Sequence, residues 1–202
     1  MLIRTILLMT FIALSPLTIA AAVCSDSTAS ISGKIVDVRG QGMANILLII
    51  KDTAGQVIHM TQSDQQGEYQ FDHLAKQKPY QLELVKNDNW LKEINWLDLH
   101  IVSLTILDTL LSVHPSNLLA ADVDDNGLNS TFDLVTMVRV LQLIENASDL
   151  SPAWRFVYAY GPIYLPDNSQ SNLFDGRSIR LNGDISGLDF VGIKKGNLYQ
   201  VE

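Results

Sequence analysis

Apolar and polar residues alternate along Ile31-Ser32-Gly33-Lys34-Ile35-Val36-Asp37-Val38. This is the period-two pattern of a strand with one buried face. Arg39-Gly40-Gln41-Gly42 reads as a turn, and the apolar run from Asn45 to Ile50 has strand length. Asp52-Thr53-Ala54-Gly55 predicts a second turn, before a strand from Gln56 to Thr61. Ser63-Asp64-Gln65-Gln66-Gly67 predicts a third, before Glu68-Tyr69-Gln70-Phe71. From Pro79 to Val85, Tyr80, Leu82 and Leu84 alternate against Gln81 and Glu83. Short strands separated by turn signals at near-regular spacing predict a small β-sandwich over residues 31–86.

Near Asn87 the period changes. Residues 96–110 form a helix candidate so rich in Leu and Ile that it must be covered on more than one side. Pro115-Ser116-Asn117 opens a short helical turn, and Thr131 to Ile144 predicts another helix. Residues 95–107 and 130–143 align at an offset of 35, placing Asp98 on Asp133 and Leu99 on Leu134. Two loop-helix units at one spacing indicate internal duplication. In the tail, Trp154-Arg155-Phe156-Val157 and Asp189-Phe190-Val191-Gly192-Ile193 read as strands joined by a long loop. The expected fold class is therefore α+β. The segments are 31–86 (sandwich), 87–150 (loop-helix repeats) and 151–202 (a closing β segment packed on both).

The stretch from Asp122 to Asp133 changes the picture most. It places side-chain oxygens at loop positions 1, 3, 5, 9 and 12 (Asp122, Asp124, Asn126, Ser130 and Asp133), with Gly127 at position 6. Ca²⁺ takes six to eight oxygen ligands, and an EF-hand-type loop supplies them at that spacing. Leu128, at position 7, would contribute its backbone carbonyl, which leaves its side chain free to be apolar. The competing reading is a polar turn in which Ser130 or Thr131 caps the following helix.

The chain opens with a short basic segment, Met1-Leu2-Ile3-Arg4, an apolar run to Ile19, and Ala20-Ala21-Ala22. This is the pattern of a secretory signal peptide over residues 1–22, followed by a polar linker to residue 30; the competing reading is an uncleaved membrane anchor, for which the run is near the lower length limit. No later stretch is apolar and long enough to predict a membrane span. Losing Arg4 moves the formal net charge from −8 to −9, which gives the mature chain no electrostatic reason to hold nucleic acid. Cys24 is the single cysteine, so no intrachain disulfide can form. Its place after the apolar run makes lipid attachment an alternative to ordinary cleavage near Ala22. An exported location follows on either route.

Two resemblances extend this reading. The segments ISGKIVDVRGQGMANILLIIKDTAGQ, TQSDQQGEYQFDHL and YQLELVK resemble the carboxypeptidase regulatory-like, or prealbumin-like, family. That resemblance implies a sandwich fold shared with carbohydrate-binding modules and a non-catalytic accessory role. The duplicated units resemble a type I dockerin, a paired calcium-loop-and-helix module of exported multidomain proteins. The resemblance implies calcium at Asp122–Asp133, with Asn129 standing where the family has Ile or Val. In the first unit it places Asn87, Asn89, Leu91 and Lys92 at positions 1, 3, 5 and 6 before Asp98 at position 12. One calcium is therefore expected, and the Asn87–Asp98 loop carries the pattern only in part. The tail resembles a segment that follows such repeats in exported proteins of the Bacteroidetes.

The dockerin resemblance also implies a cohesin-type protein partner read from loop positions 10 and 11. Here those positions hold Trp96-Leu97 and Thr131-Phe132, and their apolar character predicts packing inside this chain instead. The four histidines form no zinc pattern, and no nucleophile-base set or phosphate loop is present. The expectation is a non-enzymatic, calcium-binding module for assembly or adhesion at the cell surface. The alternative is an accessory protein of polysaccharide breakdown, binding glycan through Trp90 or Tyr69. Asp184, Ser186 and Asp189 are too loosely spaced for a metal site and predict a turn.

Overall fold

The computed structural model describes residues 27–107, 115–142, 152–160 and 178–198. The expected signal peptide and Cys24 lie outside them, as do the ends expected for the two long helices. Eight strands and three helices follow in chain order: β1 (Thr28–Asp37), β2 (Leu47–Lys51), β3 (Val57–Gln62), β4 (Glu68–Ala75), β5 (Pro79–Val85), α1 (Trp96–Ile106), α2 (Pro115–Ala121), α3 (Thr131–Leu141), β6 (Trp154–Tyr158), β7 (Ser178–Arg180) and β8 (Phe190–Lys194).

The strands form two four-stranded sheets, ordered β4-β1-β8-β6 and β3-β2-β5-β7. Their facing apolar residues, among them Ile31, Ile35, Leu48, Ile50, Phe71, Leu82 and Phe190, build one core. This is a β-sandwich, as the alternation predicts. One local device recurs at three turns. Asp37, Asp52 and Asp64 each accept, on one carboxylate oxygen, the backbone N–H groups two and four residues ahead. Such side-chain-to-backbone bonds satisfy donors that the turn leaves unpaired.

Strands β6, β7 and β8 do more than pack on a finished sandwich. β8 lies between β1 and β6, pairing Ile35, Val36 and Asp37 in parallel with Phe190, Val191 and Gly192. β6 pairs antiparallel with β8 from Trp154 opposite Lys194 to Tyr158 opposite Phe190. β7 extends the other sheet by pairing with Pro79–Gln81 of β5. The sandwich thus draws on both ends of the chain, with the helical units inserted between.

The outer face of β6 and β8 carries a second core. Val157 and Ile193 pack there with Trp90, Val102, Leu119, Val123, Met137 and Val140. Successive residues of a strand face opposite sides, so Phe156 and Phe190 serve the sandwich while Val157 and Ile193 serve the helices. This arrangement covers one face of each helix, burying Ile101 and Val102 of α1 and Met137 and Val140 of α3, and not the several sides that the composition of α1 predicted.

Candidate metal centre

Helix α2 ends at Ala121, and the chain enters the loop at Asp122. The second core buries Ala121, Asp122 and Val123 together. The loop ends in α3, where Ser130 is the N-cap and Asp133 closes a capping box on the Ser130 backbone N–H. That geometry turns Asp133 inward until it is fully buried. Its Oδ1 accepts the N–H of Val123 at 2.9 Å and of Asp124 at 3.3 Å, and its Oδ2 accepts the N–H of Ser130 at 2.8 Å. Ser130 Oγ also donates to Asp133 Oδ2 at 3.3 Å.

The remaining predicted residues converge. Asp122 Oδ1 accepts the N–H of Asn126 at 3.1 Å, and its Oδ2 that of Gly127 at 3.2 Å. Asp124 accepts both the Asn126 N–H and its side-chain amide. Asn126 Oδ1 in turn accepts the N–H of Leu128 at 2.8 Å. Gly127 sits at φ +82°, where only glycine is unstrained, and Asp125 stands at φ +60°. The Leu128 side chain is exposed, as expected for a position that contributes only its carbonyl. One oxygen from each of Asp122, Asp124 and Asp133 lies within 4.8 Å of the others, the only such acidic cluster among the described residues.

Sequence reasoning missed the charges that face this loop. Arg155 of β6 donates through Nη2 to Asp122 Oδ2 at 3.1 Å and to Asp125, and through Nη1 to the Leu119 carbonyl at 3.2 Å. Lys195, whose side chain is 2% exposed, pairs with Asp125. Burial holds the Lys195 ammonium below the ordinary lysine range, against the opposing pull of Asp125. Asp122, Asp124, Asp125 and Asp133 supply four negative charges, and Arg155 and Lys195 return two. An all-oxygen donor set with two negative charges uncompensated fits a hard divalent cation. Asn129 Oδ1, buried within the loop, accepts no hydrogen bond. The signal for Arg155 and Lys195 lay in the tail motifs, but nothing local linked them to the loop.

The first unit is built differently. Asn95 caps α1, and Asp98 completes the same capping box. Asp98 is buried, and burial raises its carboxyl above the usual carboxylate range despite the N–H groups that it accepts. Asp184 and Asp189 accept backbone N–H groups of Ser30 and Lys34, which makes them turn and strand supports, as their spacing predicts.

One expectation about apolar residues fails. Trp96, Leu97 and Phe132 do not pack inside the chain but are 59%, 51% and 73% exposed. The capping boxes explain this: with Asp98 and Asp133 turned inward at the third helical position, the first two positions face out. Trp90 and Tyr69 are core residues, and the Tyr69 hydroxyl donates to the Leu188 carbonyl at 2.6 Å. Neither can stack on a sugar.

No family model matches the chain, and no curated protein matches it. Among solved structures, BcpA, the major pilin subunit of Bacillus cereus, is 19% identical over 30% of this chain and 19% of that one, with a TM-score of 0.28. The T6 backbone pilin of serotype M6 Streptococcus pyogenes is 17% identical over 34% of this chain and 14% of that one, also at 0.28. A 3-chlorocatechol 1,2-dioxygenase from Rhodococcus opacus 1CP is 15% identical over 30% of this chain and 39% of that one, at 0.23. In each case the matched stretch spans well under two thirds of the solved chain. At such scores these likenesses carry no weight for function. Among the described residues no helix is long and apolar enough to cross a membrane.

Proposed function

We propose that this protein is an exported, non-catalytic calcium-binding module for protein–protein assembly or adhesion at the cell surface. One observation carries the calcium part: the convergence of Asp122, Asp124 and Asp133 on a loop where two cations face four carboxylates. Asp122, Asp124, Asn126, Ser130 and Asp133 would hold the ion through side-chain oxygens, and Leu128 through its carbonyl. The ion acts as a folding ligand. It neutralises carboxylates that repel one another and so stabilises the native chain in proportion to its binding.

The assembly part rests on Trp96, Leu97, Phe132 and Val135, all exposed at the N-terminal ends of α1 and α3. Exposed apolar groups of this size in a folded module favour contact with another protein. The test is retention of the labelled mature protein on the cells that export it, in calcium and in EGTA. Calcium-dependent retention that a Trp96→Ser, Phe132→Ser double variant loses supports the reading. Equal retention in EGTA contradicts it.

The polysaccharide reading keeps one support, the exposed Trp96 ring. Glycan-array binding abolished by Trp96→Ala would favour it over protein assembly.

A further inference from the structure

The duplication puts Asn87, Asn89, Leu91, Lys92 and Asp98 where the second loop has Asp122, Asp124, Asn126, Gly127 and Asp133. Of the three carboxylates in the second set, the first keeps only Asp98. Two backbone carbonyls of the first loop are engaged by a side chain from far along the sequence. Lys194, at the end of β8, is fully buried, and its Nζ donates to the backbone carbonyls of Asn89, at 3.1 Å, and Lys92. The Trp154 ring centroid lies 5.8 Å from the same Nζ.

The closing carboxylate is engaged by the same segment. In the second unit Asp133 Oδ1 accepts N–H groups from its own loop, Val123 and Asp124. In the first, Asp98 Oδ1 accepts the N–H of Leu198 at 2.9 Å, while Oδ2 accepts that of Asn95 at 2.7 Å. Adjacent residues leaving a strand point to opposite sides. Lys194 accordingly reaches the first loop and Lys195 reaches Asp125 of the second.

We infer that the Lys194 ammonium is the resident cation of the first loop, so that this loop takes no metal ion and its unit is held by the C-terminal segment. An ammonium needs about three acceptors and brings one charge. Two carbonyls and an aromatic face meet that need. A divalent ion needs at least six oxygens, and of the positions aligned with its ligands only Asp98 carries a carboxylate, Asp88 and Glu93 standing at other positions of the loop. It would also have to approach a buried positive charge at low effective dielectric, where like charges repel strongly. The inference concerns the first loop only and stands apart from calcium binding at the second.

The test is NMR of the mature chain labelled with ¹⁵N in its lysine ammonium groups. Buried, hydrogen-bonded ammonium groups exchange slowly and give resolved signals. Lys194→Met and Lys195→Met assign the two expected here. The Lys194 signal should persist without calcium and stay unmoved at saturating calcium. In Asp124→Ala, which disables the second loop at an exposed ligand, calorimetry should detect no saturable calcium binding. Lys194→Met should also lower the melting temperature in EGTA by about 5–10 °C. Loss of the Lys194 signal on adding calcium, or a saturable calcium site remaining in Asp124→Ala, would overturn the inference. Absence of calcium binding in the wild type, with the Lys194 signal present, would remove the calcium proposal and leave this one standing.

Discussion

Asp98 and Asp133 occupy the same position in two helices, each closing a capping box, yet their outer oxygens have different partners. Asp133 accepts N–H groups of its own loop, whereas Asp98 accepts that of Leu198, a hundred residues away. One unit thus closes on its own loop and the other on the chain's own C-terminal segment.

Arg155 joins Asp122, Asp125 and the Leu119 carbonyl, and its side chain is only 10% exposed. Arg155→Gln leaves Asp122 without its counter-charge and Asp125 with Lys195 alone. The calcium-free protein should lose about 3 kcal/mol, since breaking a buried pair strands a charge. Calcium should restore part of that loss, so the gap between melts with and without calcium should widen. Urea melts in EGTA and in calcium measure both effects; an unchanged gap would show that Arg155 does not sense the ion's place.

The two cores share β6 and β8, with Phe190 facing one and Ile193 the other. Sandwich and helices should therefore unfold together. Far-ultraviolet circular dichroism should give the same melting midpoint as tryptophan fluorescence, because Trp90 reports the helical core. A fluorescence transition well before loss of the β signal would contradict this.

Gly33 of β1 lies against the Leu188 backbone, and a Cβ there would stand 2.1 Å from the Leu188 carbonyl oxygen. Backbone on both sides leaves nothing flexible to yield. Gly33→Ala should cost about 3 kcal/mol, at the upper end for overpacking, and denaturant melts read it directly. A loss under 1 kcal/mol would mean that β1 and the segment at Leu188 can separate.

Tyr69 is buried, and burial, reinforced by the Asp189 carboxylate, pushes its hydroxyl above the ordinary phenol range. A folded pKa above the unfolded value of about 10 makes the native state hold its proton while the unfolded chain loses it. The tyrosine's contribution is complete below pH 10 and falls as pH rises beyond. Tyr69→Phe should cost about 1 kcal/mol at pH 7.5 for the bond to Leu188. The difference from wild type should shrink at pH 11, and melts at the two pH values test this.

The sandwich strands were legible because half-buried strands repeat every two residues and Asp-rich turns separate them. The convergence of Asp122, Asp124 and Asp133 was legible because these residues are local and their spacing is that of a calcium-loop pattern. The places of β6, β7 and β8 were not, since a run such as FVGIK announces a strand but not that β1 is its parallel neighbour. For the same reason Arg155, Lys194 and Lys195 could be seen only as tail residues. Hydrophobicity alone does not give the exposure of Trp96 and Phe132; the capping aspartates at the third helical position decide which way those side chains face.

The central claim is that Asp122–Asp133 is a calcium loop that stabilises the fold. Calcium titration of the mature chain by calorimetry, beside thermal melts of wild type and Asp133→Ala, tests it most directly. The account predicts one saturable site and a calcium-dependent rise in melting temperature, both lost in the variant. No heat of binding and superimposable melts in calcium and EGTA would show that the loop is only a capped turn.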